Sequence, residues 1–408
     1  MQTIRILTLL LLFPLCLIGC EKDDPKSTER TGGSGGTGGT AGAGGMAGTG
    51  GLAGTGGVAG AGGMAGAGGM AGAGGMAGAG GMAGTGGMAG TGGSPIACDL
   101  PETDYPGDSW AACISDDGMW HLAGDNPPSS IARVAAFETI ADLLWRNEAG
   151  LSAESFADAR IQYSIDQGLD SRVSRRYDSH LPQPGDGIDC RGEDHGRDYP
   201  EYCVGPGQIN PLLGQAFGEG STGMELHENA ARIEAGLLWF MHVSTYKEAY
   251  TCATAAKDCD SAWAYYGGGE TPMSTTGLAS YIRAIEPGTH AAIFNALLGL
   301  RCWRDLDSAE RAMNEPMHQQ ALDQLDRGLN RALTVLLIDR LNRFAERQGS
   351  ERAAAWSFLK VLGPVLNRAA NEINAETASQ LAETWSSDGS EVDPLAVILD
   401  LNSLFPCP

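Results

Sequence analysis

Between Gly32 and Gly93 the chain has no charged residue, no proline and no aromatic residue. The same stretch holds more than half of the 60 glycines. It has almost no apolar surface to bury, and glycine loses more backbone entropy on ordering than any other residue, so a packed core is excluded there. Lysine is also scarce: beyond the glycines only Lys247, Lys257 and Lys360 occur. Arginine therefore carries most of the positive charge, in a side chain suited to fixed ion pairs. Cations are outnumbered overall, and the formal net charge is −23. That balance argues against nucleic acid as a partner and against lying flat on an anionic lipid surface. After the glycine tract there is no C-x-x-C pair, no H-E-x-x-H and no P-loop. A zinc ribbon, a thioredoxin-type site, a zincin protease and a Walker-type phosphate loop thus have no support.

What is present begins at the N-terminus, MQTIRILTLLLLFPLCLIGCEKDD. Arg5 gives a short positive start. Ile6 to Ile18 is apolar almost throughout, the length of a signal-peptide core and too short to span a bilayer comfortably. It closes on Leu17-Ile18-Gly19-Cys20, which resembles the bacterial lipobox. The resemblance implies a signal peptide over 1–19, cleavage before Cys20, a diacylglyceryl thioether on the Cys20 sulfur and an acylated amino group. Two or three acyl chains meet the two-signal requirement for stable anchoring, so the membrane is a partner through lipid at Cys20. Glu21 is not the aspartate that often signals inner-membrane retention. The expected location is the cell envelope, at the outer membrane.

Residues 20–97 then read as a tether. From Gly44 to Thr91 the chain repeats every six residues as Gly-Gly-x-Ala-Gly-[Ala/Thr], with x mostly Met. Six residues are too few for a helical-hairpin solenoid. A flexible linker is expected, with a mean reach on the order of 50 Å. Stacked extended glycine helices, or soft-metal binding by the methionines, are weaker readings, because repeat expansion alone produces the regular spacing.

Residues 98–408 read as one domain with helical periodicity and poor strand signals. Helices are expected from Ile131 to Asn147, Ser152 to about Gln167, Met224 to about Thr251, Gly277 to Ile285 and Thr289 to about Asp305. More follow from Pro316 to about Gln348, Glu351 to Leu362, Pro364 to Ile373, Ala375 to Ser386 and Pro394 to Phe405. Short connections between long helices imply antiparallel neighbours. The fold class is therefore all-α, a disulfide-braced antiparallel helical bundle after a disordered Gly-rich linker. Eight cysteines lie in the domain: Cys98, Cys113, Cys190, Cys203, Cys252, Cys259, Cys302 and Cys407. An even set outside the cytoplasm reads as disulfides. Proximity favours Cys98–Cys113, Cys190–Cys203 and Cys252–Cys259, leaving Cys302–Cys407 to tie down the C-terminus. Ser179 to Gly220 reads as one long loop rich in Gly, Pro and Asp. Asp186, Asp189, Glu193, Asp194 and Asp198 are dense enough for calcium. Their spacing is not that of an EF-hand, so a solvated, disulfide-pinned lid is preferred.

The sharpest chemical signal is in the third helix, GMELHENAARIEAGLLWFMHVSTYKEAY. Ile233 to Tyr246 is apolar on nearly every side and should be buried. Glu234 and His242 sit within it, about 12 Å apart along the axis and about 80° apart around it. Each then needs a partner from elsewhere, since an unpaired buried carboxylate is costly. The bland reading is a structural Glu–Arg pair and a core histidine bonded to a carbonyl. Glu286 and His290 flank Pro287-Gly288, where a helix is expected to kink. Together with His242 or the His227-Glu228 pair they make a candidate His/carboxylate site of the kind that suits iron or zinc. Trp263 and Tyr266, beside glycines, are candidates for the floor of a ligand pocket, against the commoner reading of a packed aromatic corner.

These residues together resemble the imelysin-like, iron-regulated envelope proteins. The likeness rests on an exported all-α domain, on Trp263 to Gly267 as a W-x-x-Y-G stretch after a long central helix, and on a kinked helix with His290 at its mouth. It covers Ile131 to Gln348 as a pattern. The imelysin G-x-H-x-x-E motif is absent: His290 follows Gly288, but residue 293 is Ile where the pattern has Glu. The resemblance implies metal acquisition by binding. The expected function is thus a lipid-anchored, envelope-exposed binding protein for a metal ion or a metal-containing small ligand. The alternatives are a structural or protein-interaction module with no small-molecule site, and a metal-dependent hydrolase.

Overall fold

The computed structural model describes residues 127–408 apart from 166, 167, 186, 193 and 270–274, together with Cys98, Trp120 and Leu122. The expected signal peptide over 1–19, lipidated Cys20 and the whole of the tether lie outside the described residues, as do Cys113, Asp186 and Glu193.

Among the described residues the secondary structure is helical, with no strand. In chain order α1 is Ser130–Leu143, α2 Ala153–Ser164, α3 Leu169–Val173 and α4 His195–Asp198. A π turn over Gly205–Ile209 runs straight into α5, Asn210–Ser221. The central helices are α6, Leu226–Cys252, α7, Ala256–Gly267, α8, Gly277–Ile285, and α9, Pro287–Asp305. After α10, Ser308–Met313, comes α11, Glu315–Glu346. The C-terminal part is α12, Gly349–Leu362, a 3-10 turn over Gly363–Leu366, α13, Asn367–Ile373, α14, Ala375–Ser386, and α15, Pro394–Leu404.

Local chemistry sets many of the ends. The Ser152 hydroxyl accepts from the Ser155 N–H to start α2, and Asp307 with Glu310 forms a reciprocal capping box on α10. Asn374 and Asp393 cap α14 and α15 with their side chains, and Pro394 occupies the first turn of α15, where its missing N–H costs nothing. Glu286 ends α8 and begins α9 in one residue, so the expected Pro287-Gly288 kink is a break between two helices.

As its apolar run implies, α6 is the axis of the core: Ile233, Leu237, Leu238 and Phe240 are fully buried. It packs against α5, α7 and α12, while α11 packs against α9, α12 and α15. This is the antiparallel bundle the helical periodicity implies.

Two segments depart from expectation. Ser179–Gly220 is not one long loop, because its last third is the π turn and α5. The glycines that suggested a loop permit close packing instead. A Cβ on Gly220 would sit 2.1 Å from the Phe156 ring, so only glycine lets α2 approach α5 this closely. The other is Ala256–Gly267, a helix whose aromatic residues hid its periodicity.

Two of the expected disulfides form, Cys190–Cys203 and Cys252–Cys259. The other two expected pairings are overturned by Cys98–Cys407, which closes a sequence separation of 309 residues. Cys302 is buried in α9.

Candidate functional site

Of the four residues expected to ligate a metal, Glu234, Glu286 and His290 are committed elsewhere. Glu234 is buried and its Oε1 accepts from Arg340 Nη2 at 2.7 Å and from the Tyr281 hydroxyl at 3.0 Å. Glu286 receives a two-pronged contact from Arg331, with Nη2–Oε1 at 2.7 Å and Nε–Oε2 at 2.8 Å. Arg331 also donates to Asn402 Oδ1 and to the Phe405 carbonyl, so this cluster fastens the end of α15 to α11. His290 Nδ1 lies 3.1 Å from the Tyr266 hydroxyl, with the two rings stacked. Among the described residues no three His, Cys, Asp or Glu side chains gather to hold a metal ion. The arginines of α11 neutralise both carboxylates, and that pairing is invisible to spacing within α6 or α9.

The candidate pocket residues divide. Trp263 and Tyr266 are fully buried, with Trp263 against Trp120 and Phe294, so they are core and not a pocket floor. His227 does face a cavity of about 350 Å³, shared with Glu234, Trp145, Arg340 and Arg343. Glu228 lies beside it on α6, its carboxyl raised by partial burial and by Glu225. The loop carboxylates are used by arginines: Asp189 pairs with Arg191, and Asp194 and Asp198 both pair with Arg197.

His242 is buried on α6, and its Nδ1 has no hydrogen-bond partner, so the expected carbonyl bond is not made. Burial, then the nearby His180 charge, lower it to about 4. His180 itself is held by two carboxylates, with Nδ1 at 2.7 Å from Asp178 and Nε2 at 2.8 Å from Asp326, and it stacks on Tyr246. An imidazole with an acceptor on each nitrogen is held as the cation and has no lone pair left for a metal or a substrate proton.

The arrangement with spare chemical capacity lies between the start of α1, α3 and the ends of α6 and α7. Two adjoining cavities of about 450 Å³ and 530 Å³ share Ser129, Arg133 and Arg172 as common walls. Lys247, Lys257 and Tyr265 line the first together with the carboxylates Glu248, Asp258 and Asp260, and Ser171, Ser174, Arg175 and Arg191 line the second. Two of the three lysines beyond the glycine tract thus meet at one cleft of a strongly acidic chain.

The arginines around this cleft are under-satisfied. Arg133 is 4 % exposed, and its Nη1 donates to Ser129 Oγ and the Tyr265 hydroxyl, but its Nε has no acceptor. Arg176, 3 % exposed, reaches Glu248 at 3.1 Å through Nη1 and leaves Nε and Nη2 without partners. The buried Nε atoms of Arg172 and Arg175 are likewise unpartnered. Burial lowers the Arg172 guanidinium from its ordinary value; Tyr265 opposes that, and the neighbouring charges of Arg133, Arg175 and Arg176 add to it. Gathering like charges in a partly desolvated place is costly unless an anion compensates them. The cleft also opens at the N-terminus of α1, whose first turn favours negative charge. An oxyanion with several acceptor atoms would suit a cleft lined by these guanidinium groups.

Spacing gave little notice of this site. Its one signal was Ser171-Arg172-Val173-Ser174-Arg175-Arg176, three arginines in five residues of a lysine-poor chain. Compared with protein-family models, curated proteins and solved structures, the chain gives no match.

Proposed function

We propose that this chain is a lipid-anchored cell-envelope protein whose helical domain binds an anionic small molecule in the arginine cleft. The lipobox-like Leu17 to Cys20 and the glycine tract support the anchor and the reach. One observation carries the ligand class: three arginines lining the cleft, Arg133, Arg172 and Arg175, hold buried guanidinium nitrogens with no acceptor. Elsewhere Arg331 and Arg340 pair with carboxylates, whereas among the described residues Arg133, Arg172 and Arg175 pair with none. The acquisition role implied by the imelysin resemblance would run through this cleft, with the metal arriving as an anionic chelate held by guanidinium groups and not by ligating side chains.

The test is thermal unfolding of the detergent-solubilised chain with sulfate, phosphate, citrate or iron(III) citrate, at constant ionic strength against chloride. Saturating an anion at about 100 times its dissociation constant adds about 2.7 kcal/mol, a rise of several degrees in Tm. Sulfate and phosphate also strengthen burial generally, so the decisive comparison is with Arg172→Gln. Removing one of four crowded cations should raise the Tm without added anion while abolishing the anion-dependent rise, the pattern of a site that trades stability for binding. Equal anion-dependent rises in the native chain and the variant would refute the reading.

A further inference from the structure

The two halves of the cleft differ in kind, and the difference specifies the ligand. Among the described residues, the half bounded by Ser171, Ser174, Arg175 and Arg191 has no carboxylate in its lining. Arg191 is paired with Asp189, but Arg133, Arg172 and Arg175 have no carboxylate partner. Of the three serines there, Ser171 and Ser174 donate to the Gly168 and Asp170 carbonyls, and the Ser129 hydroxyl, which accepts from Arg133, keeps its proton for a ligand. This is the chemistry of a subsite for a tetrahedral oxyanion.

The other half mixes signs. Lys247 and Lys257 face Glu248, Asp258 and Asp260, and Ser261 and the Tyr265 hydroxyl lie among them. Glu248 already takes Lys247 at 3.1 Å and Arg176 at 3.1 Å. Asp258 accepts only the Thr251 hydroxyl, at 2.7 Å, and Asp260 accepts the Trp120 indole N–H at 3.0 Å. An ionised carboxylate has about four lone-pair positions, so Asp258 keeps capacity for further donors. The apolar lining is confined to Pro127, Pro128 and the Tyr265 ring, too little to hold an acyl chain.

We infer that the ligand is a phosphorylated or sulfated sugar, its oxyanion in the Arg133–Arg172–Arg175 half and its hydroxyl-bearing ring in the half lined by Asp258 and Lys257. This rests on the anion-binding reading of the same cleft. Arg133 and Arg172, the shared walls, sit where the ester oxygen joins the two parts. The carboxylates that would repel a second anion are the acceptors that ring hydroxyls need.

Calorimetric titration of the solubilised full chain with inorganic phosphate, glucose 6-phosphate, glucose 6-sulfate and glucose tests it. Glucose 6-phosphate should bind at least tenfold more tightly than inorganic phosphate, the 6-sulfate should follow it, and glucose alone should not bind. Asp258→Asn keeps an acceptor for Thr251 but loses charge towards ring hydroxyls. It should narrow the tenfold gap and leave inorganic phosphate unchanged. Equal affinity for inorganic phosphate and glucose 6-phosphate, or a gap that Asp258→Asn does not alter, would overturn the sugar half and leave the anion site standing. Binding by none of the four would overturn both.

Discussion

His180 and His242 act on one another across the junction of the α3–α4 connection with α6, and they move stability in opposite directions with pH. Burial alone would lower His180, but the Asp178 and Asp326 carboxylates outweigh it and raise the imidazole above its ordinary value. A raised folded value means that its contribution is complete below about pH 6.5 and is lost as pH rises through the raised value. His242 is the reverse. Held neutral by burial and by the His180 charge, it titrates at about 4 in the fold. Its contribution is complete above about pH 6.5 and is lost as pH falls from there towards 4. Asp178 and Asp326, both lowered mainly by His180 against their own burial, extend the loss on the acid side. The expected outcome is a stability maximum near neutrality. Tm measured against pH should show a flatter acid limb between pH 6.5 and 4 in His242→Gln, and a missing alkaline decline in His180→Gln. Unaltered limbs in both variants would contradict this assignment. The sequence marked His242 as a buried histidine in need of a partner. It gave no sign of His180, because Asp326 lies far along the chain on α11.

At the scale of elements, the α2–α5 contact depends on one missing methyl group. Gly220→Ala places a Cβ against the Phe156 ring, and overpacking of this kind costs about 1–3 kcal/mol. Chemical denaturation should show a lower midpoint with an unchanged slope, and a variant as stable as the native chain would show that the helices separate without cost. Caps and periodicity made most helices legible. Gly277–Ile285 and Ala375–Ser386 have the ends that the residues suggest. Composition misled where glycine and aromatics serve packing, in α5 and α7. The two short disulfides were legible because their loops are short. Cys98–Cys407 was not, since the pairing depends on the C-terminal end meeting residue 98 in space. The arginine cleft escaped for the same reason: α1, α3, α6 and α7 each bring it one or two cations, and only the fold brings them together.

For the whole molecule, the net charge of −23 and the cationic cleft pull against each other. At low salt the acidic surface repels an approaching anion over a Debye length of about 10 Å or more, while the contacts inside the cleft are short-ranged and partly desolvated. Selectivity for oxyanions over chloride therefore rests on the geometry of the unpaired guanidinium groups and not on long-range attraction. On the proposed reading, the glycine tract would give a lipid-anchored domain access to ligand beyond the headgroups. The central claim is that one anion site exists at Arg133, Arg172 and Arg175. Equilibrium dialysis of radiolabelled inorganic phosphate against the solubilised full chain, alongside Arg133→Gln and Arg172→Gln, measures it most directly. The account predicts one phosphate per native chain, displaced by sulfate and lost in both variants. No retained phosphate in the native chain, or equal retention in all three proteins, would contradict it.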